Sequence, residues 1–193
     1  MRIDESEQIW IQRAREGDQA AFACLAQAYQ APVYNLAYRM LGNSVEAEDA
    51  AQETFIRMYM RLDTYDPTRK FSSWLLAIAS HYCVDVLRRR RVNWSSLEDL
   101  PPMIELSMPE STQPEHIVAT GQKSDTVQRL LQTLDPPYRV PIILRYWYDM
   151  SYQEIAEVMN VTESTVKTRL HRARNKLACE AQNGSYDLKG GAR

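Results

Sequence analysis

The chain has 193 residues, enough for one large or two small domains. With 45% hydrophobic residues, 25% charged residues and only 6 glycines, the composition excludes a disordered or fibrous protein. A formal net charge of −2 excludes a globally basic surface, so any nucleic-acid binding must come from local clusters of Lys and Arg.

The N-terminus, MRIDESEQIW, is polar and acidic where an export signal would be basic and then apolar, and no stretch approaches the ~18 apolar residues of a membrane span. A cytoplasmic protein without membrane insertion is expected. Cys24, Cys83 and Cys179 are far apart in sequence and show no zinc or disulfide spacing, so reduced thiols and neither metal nor cofactor are expected.

Apolar residues recur at helical spacing outside 92–120, which predicts an all-α fold. Turn-type clusters at Gly42-Asn43-Ser44 and Asp66-Pro67-Thr68 divide the first block, 5–91, into helices near 6–16, 19–41, 45–62 and 72–90. Four helices of this kind close one bundle. In the third, Asp49, Gln52, Glu53, Ile56 and Met60 share one face, acidic with aliphatic side chains, while Ala51, Phe55, Tyr59 and Leu62 take the other.

In the fourth, Phe71, Trp74, Leu75, Ile78 and Tyr82 form one face and Ala77, His81, Val84 and Arg88 an adjacent one. The helix ends in Arg88 to Arg91. Cations there suit the helix dipole, but four in a row exceed what capping needs and fit phosphates beside unstacked bases. Asp85 and Arg89, four apart, are expected to pair internally.

Residues 92–120 hold four prolines with Ser and Glu and no sustained periodicity, the composition of a flexible linker that tethers rather than packs. The second domain, 121–180, opens with Val127, Leu130, Leu131 and Leu134 at helical spacing and stops at Asp135-Pro136-Pro137, where Asp caps and Pro opens the next helix. Pro141, one turn in, predicts a bend or a late start. A tail, 181–193, follows this domain and carries no readable signal.

Ser151-Tyr152-Gln153-Glu154 is a capping box at a helix start. Asn160 to Glu163 forms a short turn, and Ser164 to Leu177 the next helix, which is helix-turn-helix spacing. Val166, Leu170, Ala173 and Leu177 face the core, so the opposite face carries Ser164, Thr168, His171, Arg172 and Asn175, flanked by Lys167, Arg169, Arg174 and Lys176. No acidic residue occurs from 164 to 176. Such a surface reads a major groove, its N-terminal part meeting bases and its flanking cations phosphates; the plainer alternative is a solvated basic face.

Three stretches in order, AEDAAQETFIRMYMRLDTYD, FSSWLLAIASHYCVDVLRRRR and LDPPYRVPIILRYWYDMSYQEIAEVMNVTESTVKTRLHRAR, resemble the extracytoplasmic-function (ECF) sigma factors of the sigma-70 family. The resemblance implies a sigma-2 domain that binds the clamp helices of core RNA polymerase and recognises the −10 element. It also implies a sigma-4 domain that binds the polymerase flap tip and reads the −35 element. Both act on promoter DNA, commonly under an anti-sigma factor.

Carried over by position, Asp49, Gln52, Glu53, Ile56 and Met60 would meet the polymerase. Thr68, Arg69 and Lys70, in a loop resembling one that captures an extruded base, would meet the −10 element with Ala77, His81, Val84, Arg88 and Arg91. Ser164, Thr165, Lys167, Thr168, His171 and Arg172 would meet the −35 element, with Arg169 and Arg174 serving backbone or structure. His81 stands where the family commonly has Asn, and Ser80 where a basic residue is frequent, which leaves the −10 preference open.

Two rivals remain. A stand-alone helix-turn-helix regulator would bind an operator tightly without polymerase. A small enzyme would need a nucleophile or paired carboxylates near His81, His116 or His171, and the sequence offers none, so no enzymatic activity is expected.

Overall fold

The computed structural model describes residues 5–97 and 121–183. Eight α-helices and no strand are found among them. In the first domain these are α1 (Glu5–Arg15), α2 (Gln19–Leu41), α3 (Ser44–Arg61) and α4 (Phe71–Leu97), with a 3-10 turn at Leu62–Thr64. The second holds α5 (Gly121–Gln132), α6 (Pro136–Trp147), α7 (Tyr152–Met159) and α8 (Glu163–Asn183).

Local chemistry sets the boundaries. The Asp18 carboxylate accepts from the N–H groups of Ala20 (2.8 Å) and Ala21 (3.1 Å), which starts α2. Gly42 ends it in the left-handed region at φ 77°, where a side chain would be strained. Asn43 then accepts from Glu46 N–H at 3.0 Å and starts α3. Ser151 and Glu154 form both halves of the expected capping box on α7. Asn160, left-handed at φ 52°, closes that helix.

The first core gathers Leu25, Tyr29, Val33, Leu36 and Met40 of α2 against Met58 of α3 and Phe71, Leu75 and Leu76 of α4, all buried. Small residues let α3 approach α2. Its buried face is Ala47, Ala50, Ala51, Thr54 and Met58, and the Thr54 hydroxyl is satisfied by Ala50 O at 2.7 Å. The second core joins Ile143 and Leu144 of α6, Ile155 and Val158 of α7, and Val166, Leu170 and Ala173 of α8.

Several expectations change. The fourth helix runs on to Leu97 rather than ending near 90, so the first residues assigned to the linker are helical. Nothing in VNWSSL breaks a helix, and the first prolines come at 101 and 102. Linker residues 98–120, including His116, and the tail from 184 lie outside the described residues. The sixth helix starts at Pro136 and continues through a buried Pro141, with no late start. Asp135 adopts cap geometry but its side chain makes no capping hydrogen bond: Pro137 has no N–H to offer, and Tyr138 N–H donates to the Asp135 carbonyl at 2.9 Å. Tyr59, placed by spacing on the face of α3 opposite Asp49 and Met60, is 63% exposed and meets Phe22 edge-on, while the alanine face fills the α2–α3 contact. Asp85 pairs with Arg88 at 2.7 Å, one position before the expected Arg89.

The two domains also pack on each other, α4 against α7 and α2 against α5 and α6.

Candidate nucleic-acid and polymerase interface

Thr162 caps the recognition helix α8: its hydroxyl accepts from Thr165 N–H at 3.2 Å and lies 2.9 Å from the Thr165 hydroxyl. Val166, Leu170 and Ala173 bury the opposite face, so Ser164, Lys167, Thr168, His171 and Arg172 are exposed together. Thr165 and Arg169 are half-buried at the edges of this surface. Thr168 satisfies its hydroxyl on Ser164 O at 2.9 Å, and His171 Nε2 lies 3.2 Å from Asn175 Nδ2. The Lys167 ammonium sits 5.9 Å from the Tyr152 ring centre, which steadies the N-terminal half of α8 against α7. Arg174 is placed apart. Its guanidinium donates to Leu170 O at 3.2 Å, and it borders an apolar groove rather than the exposed basic face.

In the first domain the loop before α4 is internally tied. The Tyr65 hydroxyl donates to Arg69 O at 2.5 Å, and Asp66 Oδ1 accepts from both the N–H (2.9 Å) and hydroxyl (2.7 Å) of Thr68. The Thr68 hydroxyl and N–H hold the Asp66 carboxyl below its ordinary pKa, with help from Arg69. Tyr65, Phe71 and Trp74 form one aromatic cluster with ring centres 5.2–5.5 Å apart, joined by Tyr29. These rings anchor the loop from within the core. Thr68, Arg69 and Lys70 stay exposed on it; Arg69 lines a cleft of about 690 Å³ with Ile11, Arg15, Asp63 and Tyr65, whereas Lys70 turns to the other side of the loop and pairs with Glu154 at 2.6 Å.

Along α4, His81 and Arg88 are exposed and Ala77 and Val84 half-buried, on one face as expected. The side chain of Arg91 lies outside the described residues. On α3, Asp49, Gln52, Ile56 (53% exposed) and Met60 (76% exposed) face outward, and Glu53 is tied to Arg57 at 2.7 Å.

Two surfaces escaped the sequence reading. One is a shallow groove of about 810 Å³ between α2 and α3, where Ala23, Ala26, Gln27, Gln30, Ala31 and Tyr34 meet Gln52 and Phe55. Its signal was present: positions 23, 26, 27, 30, 31 and 34 keep helical spacing on a face that the core stripe of α2 leaves outside. The other is an apolar groove of about 390 Å³ on the second domain, lined by Val127, Leu130, Ile142, Tyr146, Trp147 and Leu177. Tyr146 is 60% exposed and Trp147 38% exposed, unusual for adjacent aromatics in a small domain.

Two helical domains, one with a basic helix-turn-helix and one with an acidic-aliphatic face, define a protein built to bind DNA and a partner protein. Residues 25–92 match the family described as Sigma-70 region 2, and residues 124–177 that described as Sigma-70, region 4. The chain is 39% identical over 172 residues to the ECF RNA polymerase sigma factor SigW of Bacillus subtilis, covering 86% of this chain and 92% of that one. It is 30% identical over 182 residues to the ECF RNA polymerase sigma-E factor of Escherichia coli K12, covering 92% and 95%. Among solved structures, that of CnrH in complex with the cytosolic domain of CnrY aligns with a TM-score of 0.69 at 25% identity, over 94% of this chain and 100% of the other. The chain belongs to the ECF RNA polymerase sigma factors.

Proposed function

We propose that this chain binds core RNA polymerase and directs it to promoters, the first domain taking the −10 element and the second the −35 element. One observation carries the reading. A capped helix-turn-helix presents a continuous basic face on α8, in the same chain as the outward acidic and aliphatic side chains of α3.

Each surface then has a role. Asp49, Gln52, Glu53, Ile56 and Met60, with the alanine and glutamine stripe of α2, offer the polymerase clamp helices polar and aliphatic contact. The groove around Leu130, Tyr146 and Trp147 suits the apolar face of a flap-tip helix, which would lie in it as an amphipathic helix lies in any hydrophobic groove. Lys167, Thr168, His171 and Arg172 read the −35 duplex, with Ser164 and Thr165 at the helix N-terminus and Arg169 on the backbone.

We assign the exposed face of α4 with Ala77, His81, Val84 and Arg88 to the −10 strand, and Arg91 to it by position alone; Thr68 and Arg69 stand at the place of an extruded base, with Lys70 of the same loop paired to Glu154. Extrusion costs a few kcal/mol. A loop already fixed by Tyr65 and Asp66 avoids the further cost of ordering it at that moment. The chemistry of initiation belongs to the polymerase. CnrH is bound in its structure by the cytosolic part of CnrY, and an anti-sigma factor is proposed here too.

Run-off transcription with purified core polymerase on a promoter pool tests the reading. Initiation at a shared motif, lost on Arg172→Ala and on reversing Asp49 to Lys, supports it. A chain with no affinity for core polymerase that grips a specific operator alone refutes it.

A further inference from the structure

Of the polar side chains on the outward face of α3, Glu53 is the one already held. Asp49 and Gln52 are exposed, and neither side chain makes a hydrogen bond among the described residues. Glu53 is half-buried, and its Oε1 accepts from Arg57 Nε at 2.7 Å. The two lie four apart with the acid N-terminal, the favourable order for a helical pair. Spacing alone leaves exposed pairs of this kind weak and mobile. This one has a second anchor.

The Arg57 guanidinium also lies over the Tyr82 ring of α4, 4.9 Å from its centre. A guanidinium is flat, so its edge can donate to a carboxylate while its face stacks on an aromatic ring. The ammonium of lysine is a point charge without such a plane. The side chains of Arg57 and Glu53 are only 29% and 34% exposed, so water and salt screen the contact less than at an open surface. Tyr82 is itself half-buried and packed against the core of the first domain. The interior fixes the ring, the ring fixes the guanidinium, and the guanidinium fixes the carboxylate. A residue on α4 thereby orients an acid on the outward face of α3.

Two effects of this pairing oppose each other. Pairing reduces the charge that Glu53 shows to an incoming cation, which weakens docking. It also removes side-chain freedom before docking, and ordering one such side chain in advance is worth a factor of about 2 to 10 in affinity. A carboxylate accepts at both oxygens, and the bond in place uses Oε1 only. An incoming donor can therefore share the carboxylate with Arg57 rather than displace it, so the ordering effect wins. Ile56 and Met60, exposed on the same face, supply the apolar surface that excludes water around the held acid once a partner covers it.

We propose that Arg57 is a positioning residue for polymerase docking: stacked on Tyr82, it holds the Glu53 carboxylate in the orientation the polymerase takes and does not itself touch the polymerase. This rests on the polymerase-binding role given above to the α3 face; the chain of contacts from Tyr82 through Arg57 to Glu53 does not.

Fluorescence anisotropy of the labelled full-length chain titrated with core RNA polymerase measures the effect, with a thermal melt of each variant alongside. Arg57→Ala should weaken binding about 3- to 10-fold. Glu53→Ala should weaken it too, and in the Glu53→Ala background Arg57→Ala should add no further loss, because a residue that acts through another has nothing left to position. Arg57→Lys keeps the charge without the stacked plane and should restore little of the affinity. Tyr82→Leu removes the ring and should resemble Arg57→Ala, whereas Tyr82→Phe keeps the ring and should rescue. If Arg57→Ala melts too early to titrate, Tyr82→Leu in the two Glu53 backgrounds runs the same cycle. Arg57→Ala binding as tightly as wild type or more tightly, an undiminished loss in the Glu53→Ala background, or full rescue by Arg57→Lys overturns the proposal. A wild-type chain with no affinity for core polymerase refutes the functional reading itself, and the positioning role falls with it.

Discussion

Leu170→Ala separates what holds the recognition helix from what it reads. Leu170 is 2% exposed and fills the space between α8 and the α6–α7 pair. Truncating such a residue to alanine removes its transfer free energy and leaves a cavity, together about 2–5 kcal/mol. A domain the size of α5–α8, near 60 residues, has a total stability of about 3–9 kcal/mol. The variant therefore brings the second domain close to unfolding while the first keeps its own core. Arg172→Ala, at an exposed position, should change stability by less than about 0.5 kcal/mol. It should relax base discrimination at one −35 position by about 1–3 kcal/mol. Hydrogen exchange followed by peptide distinguishes the two, because Leu170→Ala must accelerate exchange in α6, α7 and α8 and spare α2 and α3. Exchange in α7 within 1 kcal/mol of wild type, or an Arg172→Ala chain as destabilised as Leu170→Ala, would refute the division between packing face and reading face.

Promoter binding by holoenzyme should weaken steeply with salt, and Lys167→Ala should reduce the log–log slope by about 0.9 if that ammonium neutralises one phosphate; filter binding across ionic strength measures it. Gly42→Ala should lower the melting temperature, since the residue sits at φ 77° and a Cβ would press on Gln132; a Tm equal to wild type would contradict the left-handed cap on α2. Burial pushes the Cys83 thiol up to about 12, so at pH 8 alkylation should label exposed Cys179 and leave Cys83 intact in the folded chain. The sign follows. With its folded pKa above its unfolded value, Cys83 contributes stability that is present below about 8.5 and lost as pH rises toward 12. Urea midpoints should accordingly fall more between pH 8 and pH 11 for wild type than for Cys83→Ala.

Much of the fold was legible because its boundaries are chemical. Gly42 and the Ser151–Glu154 box each specify a helix end in a few residues, and the Val166, Leu170, Ala173 stripe orients α8 without further information. What failed did so where a neighbouring element decides. Tyr59 shares the spacing of buried Ala51 and Leu62, but alanines on α3 bring α2 too close to admit a ring. Asp85 has arginines at both i+3 and i+4, each allowed by helical spacing, and it pairs with Arg88. The α2 half of the α2–α3 groove was written in the spacing of positions 23, 26, 27, 30, 31 and 34, but that groove and the one beside Trp147 are each completed by a second helix whose placement no local pattern encodes.

The contact between domains was illegible for the same reason, and its energetics follow from its composition. Gln128, Gln132, Arg139 and Tyr148 contribute five hydrogen bonds across the boundary, and Lys70–Glu154 one part-exposed ion pair. At about 0.5–1.5 kcal/mol per bond and no more than about 1 for the ion pair, the sum is roughly 3–8 kcal/mol. Two domains joined in one chain meet at an effective concentration on the order of millimolar, which corresponds to about 4 kcal/mol. The packed and separated arrangements thus lie within a few kcal/mol of each other.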